Sequence, residues 1–134
     1  MIPERLSADR FAAALATRLN SVAPPGLSVN ARGLVVGVCD PHWWGGSAIA
    51  DIVAIEDGRP IAERVATAAR AILNGIQDAV METTKEQWPV GSTGVGSPDV
   101  RVVGDELHMW FGDASKPILR LEALDLTEMV LGAA

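Results

Sequence analysis

Residues 60–87 constrain this chain more than any other stretch: 28 positions, opened by Asp57-Gly58-Arg59-Pro60, closed by Trp88-Pro89, without an internal proline and with apolar residues at helical spacing. The pattern predicts one long central helix. At ~1.5 Å per residue it runs roughly 42 Å, whereas a compact domain of this length is about 35 Å across. The helix therefore spans the fold. Ile61, Val65, Ala68, Ile72, Ala79 and Thr83 form one line, and Ala62, Ala66, Ala69, Leu73, Ile76 and Val80 form an adjoining one. Together they make a stripe wider than one partner surface needs. Gly75 in mid-helix costs ~1 kcal/mol relative to alanine, which is easiest to justify where another backbone passes close, within the monomer's core or across a subunit contact.

The 134 residues suffice for one core, so a single domain over 1–134 is expected. Hydrophobic residues at 49% and charged residues at 21% describe a globular chain. A net charge of −6 without any basic run argues against nucleic acid and against an anionic membrane as partner. The longest apolar runs fall far short of the ~20 residues that cross a bilayer, and the N-terminus lacks the pattern of a signal peptide. A lone Cys39 gives no internal disulfide and suits a reducing compartment, so a cytoplasmic location is expected. Nine arginines against two lysines, with abundant alanine, point to a GC-rich bacterial genome.

Ser7 is suited to cap a first helix, with Leu6 and Phe11 placed as a hydrophobic staple. Phe11, Leu15, Leu19 and Val22 continue one apolar stripe until Pro24-Pro25-Gly26 ends it. Residues 27–31 and 34–39, joined at Arg32-Gly33, read as a β-hairpin, and 47–55 as a third strand before the Asp57-Gly58 turn. Residues 90–99, rich in glycine and serine, read as a flexible loop. Residues 100–103 and 106–111 flank Gly104-Asp105 as a second hairpin, with Leu107, Met109 and Phe111 on one face and His108 and Trp110 on the other. Residues 117–121 suit a further strand, and Asp125 with Glu128 marks the start of a short last helix. The expected class is α+β: an antiparallel sheet with the long central helix and the first helix packed on one face, in the order α-β-β-β-α-β-β-(β)-α.

Cys39-Asp40-Pro41-His42-Trp43-Trp44-Gly45-Gly46 is the most unusual local sequence. Cys39 and His42 fall short of the three or four ligands of a zinc site, so neither a metal nor a cofactor is expected. A nucleophilic role for Cys39 with a histidine base and Asp40 needs a geometry that adjacency does not supply. A turn begun by Asp-Pro and released by Gly-Gly accounts for most of the segment. Adjacent tryptophans beside a strand point to opposite faces, so Trp43 or Trp44 reaches solvent unless a loop covers it. Tryptophan at a surface is favoured for recognition, and Trp110 shares its strand face with His108. His42, Trp43, Trp44, His108 and Trp110 are therefore the candidate binding residues, weighed against rings that complete a core. The 91–96 glycine loop lacks a lysine and a following helix, so it fails the phosphate-loop and dinucleotide fingerprints. The acids Asp51, Glu56 and Asp57 read as solvated surface, and no catalytic residue is assigned.

The element order, acidity and long second helix together resemble the type III secretion chaperone-like fold. That resemblance covers nearly the whole chain in element order and rests on no signature motif. It implies a non-enzymatic module that dimerises and holds an extended segment of a partner protein on apolar patches. The leading expectation is thus a protein- or peptide-binding module, with a homodimer through the helix at 60–87. The alternatives are a small-molecule-binding or small enzyme domain with a pocket lined by tryptophan and histidine, and a structural component of a phage or secretion system.

Overall fold

The computed structural model describes residues 7–40, 44–48 and 60–129, with 44–48 described by backbone alone. Helix α1, Ala8–Asn20, begins at Ser7, whose hydroxyl accepts from the Arg10 amide at 3.2 Å. Phe11, Ala12, Leu15, Ala16 and Leu19 are buried along one side, as their spacing predicts. Its last turn closes at Ser21, short of the prolines, where the Ser21 amide bonds back to the Thr17 carbonyl. Leu6, the expected staple partner, lies outside the described residues.

Strands β1 (Ser28–Arg32) and β2 (Val35–Cys39) form the expected hairpin, with Gly33 at φ 59° in its two-residue turn. Only glycine takes that conformation without cost. Strand β3, Trp44–Ala48, pairs antiparallel with β2. It begins three residues before the predicted 47–55, and Gly45-Gly46 lies inside the ladder opposite Val38 and Gly37 instead of releasing a turn. Residues 49–59, which include the rest of that prediction and Asp51, Glu56 and Asp57, are outside the described residues.

Helix α2, Ile61–Thr84, is 24 residues long, about 36 Å, four residues shorter than predicted. Thr84 explains the early stop: its hydroxyl donates to the Val80 carbonyl and accepts from the Glu86 amide, and Lys85 turns left-handed at φ 61°. Both apolar lines are used inside the chain. Val65 and Ile72 of the first and Ala69, Leu73, Ile76 and Val80 of the second are all fully buried. The width of the stripe follows from its two partners, because α2 packs on β2 and β3 and also on β6 of a separate sheet.

Beyond α2 come β4 (Val90–Gly91), β5 (Gly94–Val95), β6 (Pro98–Val103), β7 (Glu106–Asp113), β8 (Lys116–Arg120) and β9 (Leu124–Asp125). β4 and β5 form a small hairpin, while β6, β7 and β8 form the second main sheet, with β9 on β7 beside β8. The α+β class matches expectation and the element order does so roughly, the optional strand near 117–121 included and β4, β5 and β9 added; in place of the expected single antiparallel sheet, the strands divide among the described residues into separate antiparallel sheets. The last element is a single 3-10 turn, Leu126–Met129. Asp125 holds it by accepting from the Thr127 amide at 2.9 Å and hydroxyl at 2.6 Å, and these bonds lower its pKa below the ordinary 3.8.

The segment expected to be flexible is instead built into the fold. The Gln77 amide nitrogen, buried at the side of α2, donates to the carbonyls of Gly96 (2.6 Å) and Trp88 (3.2 Å). The Gly96 amide donates to Pro89, closing the β4–β5 hairpin. Ile118 then seats against Gly91, Gly96 and Gly112, at each of which an added Cβ would come within 3.1 Å or less of its side chain. Glycine is there for close packing, not for mobility. Arg18 ties the two ends of the chain, its guanidinium donating to the carbonyls of Glu122 (2.9 Å) and Ala123 (3.1 Å).

Candidate binding face

Gly104-Asp105 sets the register of the second sheet: Val103 faces Glu106, which puts Arg101 directly opposite His108 and Asp99 opposite Trp110. Strand alternation sends Val100, Leu107, Met109 and Phe111 to the core, where Phe111 also meets the Trp88 ring at a centroid distance of 5.3 Å. The other face carries Asp99, Arg101, Val103, Glu106, His108 and Trp110. On β8 the phase changes. Gly112 pairs with Pro117 but Phe111 with Leu119, so Ile118 is an extra, bulged residue. That shift places Arg120 opposite Trp110. Side chains directly opposite sit roughly 5 Å apart at Cβ and diagonal ones about 7–8 Å, so Arg101 and Arg120 flank the His108–Trp110 pair from either side.

These residues surround a cleft of about 260 Å³, lined also by Val103, Met109, Ala114 and Leu121. Trp110 is 9% exposed and its indole nitrogen has no hydrogen-bond partner. The ring is therefore not the free surface tryptophan that alternation alone predicts, and Ala114, in the β7–β8 turn, lines the same cleft. His108 is half-exposed, with Nε2 3.5 Å from Glu106 Oε1. Asp99 is occupied as well, at 3.3 Å from the Arg70 guanidinium. Glu106 forms an ion pair with His108 only when the imidazole is protonated. Arg101 and Arg120 make no hydrogen bond or ion pair within the described residues, and the cleft described above is lined by these two arginines and by neither acid. The result is a locally basic cleft on a chain of net charge −6.

Two of the sheet edges, those of β6 and β1, are blunted. Asp99 Oδ1 accepts from the Val100 amide at 2.8 Å, so that N–H faces away from β7; by alternation Pro98, Val100 and Val102 present the outer edge of β6. Proline has no donor there and Val100's is taken, which leaves Val102. On β1, Asn20 Oδ1 accepts from the Val29 amide at 2.9 Å in the same way. An added strand finds few free donors at either edge.

Of the candidate residues, the structure brings His108 and Trp110 together. Trp44 opens β3 in the first sheet, and His42 and Trp43 lie outside the described residues, so the five do not form one described pocket. Cys39 ends β2 half-buried, its Sγ 3.4 Å from the Asn30 amide nitrogen, beside a shallow cleft that holds Asp40 but no histidine base among the described residues. No group of three or more potential metal ligands occurs among the described residues. None of the described helices is long and apolar enough to cross a membrane. A larger cleft of about 570 Å³ lies between the β4–β5 and β7–β8 hairpins, walled by Gly91, Gly96, Ser92, Thr93, Asp113 and Lys116, without tryptophan or histidine. Arg101 and Arg120 are the site residues that sequence reasoning missed. Arg101 was within reach through the Gly104-Asp105 register; Arg120 depends on the bulge. Comparison with protein-family models, curated proteins and solved structures finds no match for this chain.

Proposed function

We propose that this protein is a non-enzymatic protein- or peptide-binding module whose recognition surface is the outer face of the β6–β7–β8 sheet. The observation that carries this reading is the cleft around Trp110 and His108. At about 260 Å³ it is smaller than the ~300–1,000 Å³ that encloses a drug-sized ligand, and it suits one or two side chains of a larger partner. The blunted edge of β6 favours an occupant laid on the face over one that adds a strand there. Such a module is of the kind the chaperone-like resemblance implies, acting in the cytoplasm of a bacterium on an extended partner segment. A homodimer through α2 has little large apolar surface left, because Val65, Ile72, Leu73, Ile76 and Val80 are buried within the chain; a dimer contact there would use the polar side and half-covered positions such as Ile61, Ala62, Ala66 and Met81.

The test is selection of a displayed random-peptide library on the folded protein, followed by mapping of the bound peptide through backbone and indole NMR resonances. Perturbations centred on Arg101, His108, Trp110 and Arg120 are expected. No selectable peptide, or perturbations confined to α1, β1 or the large cleft, would overturn the reading.

A further inference from the structure

We infer that the segment recognised by this face is acidic, with an aspartate or glutamate carboxylate held between Arg101 and Arg120 and an apolar neighbour resting on Val103. The inference rests on the binding-face reading above and adds the chemistry of the occupant.

Three independent observations converge. First, the lining of the cleft carries two guanidiniums and no carboxylate: Asp99, held by Arg70, and Glu106, 3.5 Å from His108 Nε2, share the face but do not line it. Within the described residues the two guanidiniums have no partner, and they sit on the two strands flanking β7. Arginines serving the fold in this chain look different, since Arg18 spends its guanidinium on the Ala14, Glu122 and Ala123 carbonyls. A guanidinium is a planar fork of donors matched to a carboxylate, and two of them facing one cleft form a clamp. Second, the Trp110 indole N–H is a buried donor without an acceptor, in a residue that lines this cleft. Buried donors left unmade are uncommon and costly. A carboxylate oxygen seated there, with modest movement of the surrounding side chains, supplies the missing acceptor. Third, Val103 is 54% exposed at the lip of the same cleft, next to Arg101 in register, and offers an apolar contact beside the charged one. A small anion would use the arginines and leave Val103 idle; a peptide uses both.

The partner is therefore a protein segment of opposite charge to the face.

The experiment selects the same peptide library on the wild-type protein and on the R101E/R120E double variant, with thermal unfolding of both as the folding control. Wild type is expected to select peptides bearing Asp or Glu beside an apolar residue, and the charge-reversed variant peptides bearing Lys or Arg. In the best wild-type peptide, Glu→Gln is expected to weaken binding about tenfold or more, as loss of a charge-assisted pair does. R101Q/R120Q, which keeps bulk without charge, serves as the second variant should charge reversal disturb folding, with the same weakening expected. Inorganic phosphate and acetate titrated alone are expected to bind far more weakly than the peptide. Selection of neutral or basic peptides at this face by wild type would overturn the acidic assignment while leaving the binding face standing. Phosphate binding as tightly as the best peptide would overturn the peptide source in favour of a small anion. Failure of both chains to select any peptide would instead overturn the module reading itself.

Discussion

The two faces of β7 are built from alternate residues of one eight-residue strand and do opposite work. Leu107, Met109 and Phe111 are wholly buried in the core, Phe111 against the Trp88 ring, while Glu106, His108 and Trp110 share the other face with two arginines that have no partner among the described residues. On the inner face every contact is satisfied by the chain itself. On the outer face an indole donor and two guanidiniums are left without partners among the described residues. Folding explains the first set and not the second, and that asymmetry is the reason to locate recognition there.

The contrast is broken most strongly from the inside. Phe111→Ala is expected to lower the unfolding free energy by about 3–5 kcal/mol in urea titrations, since it removes a wholly buried ring and the Trp88 contact. Gly96→Ala comes next, at about 1–3 kcal/mol by the same measurement. Its Cβ would meet the Gly112 backbone at 3.0 Å, which does not yield as the Ile118 side chain at 2.7 Å can, so pairing it with Ile118→Val should recover only part of the loss. On the outer face Trp110→Phe keeps most of the ring and removes the orphan donor. Its stability is expected within about 1 kcal/mol of wild type, because the lost surface and the relieved unmade bond offset each other. The smallest effect belongs to Asp125, whose lowered pKa contributes stability that is present above the ordinary 3.8 and is lost as pH falls through the folded value. Acid titration of the unfolding midpoint should therefore show wild type losing stability below about pH 4 relative to Asp125→Asn, in which that part of the dependence is gone.

Much of this arrangement was legible in local pattern. The alternation of 106–111, the Gly104-Asp105 turn and the two apolar lines of the long helix follow from residue spacing and appear as predicted. The rest depends on contacts that spacing does not encode. With Ala114-Ser115 as the β7–β8 turn, an unbroken ladder would put Leu119 opposite Trp110; the bulge at Ile118 moves Arg120 into that place and completes the basic pair. The 91–96 segment has the composition of a flexible linker, yet a single buried glutamine and one isoleucine seated among glycines hold it. The burial of Trp110 on a polar face is likewise something that strand alternation does not contain.

One side-by-side measurement tests the central claim that the outer face serves binding and not folding. Denaturant unfolding and affinity for the library-selected peptide are determined for wild type and R101Q/R120Q. The expected result is an unfolding free energy within about 0.5 kcal/mol of wild type, together with affinity lowered at least about tenfold. A variant that loses stability and keeps its affinity would show that the arginines belong to the fold, and the account of this face would be wrong.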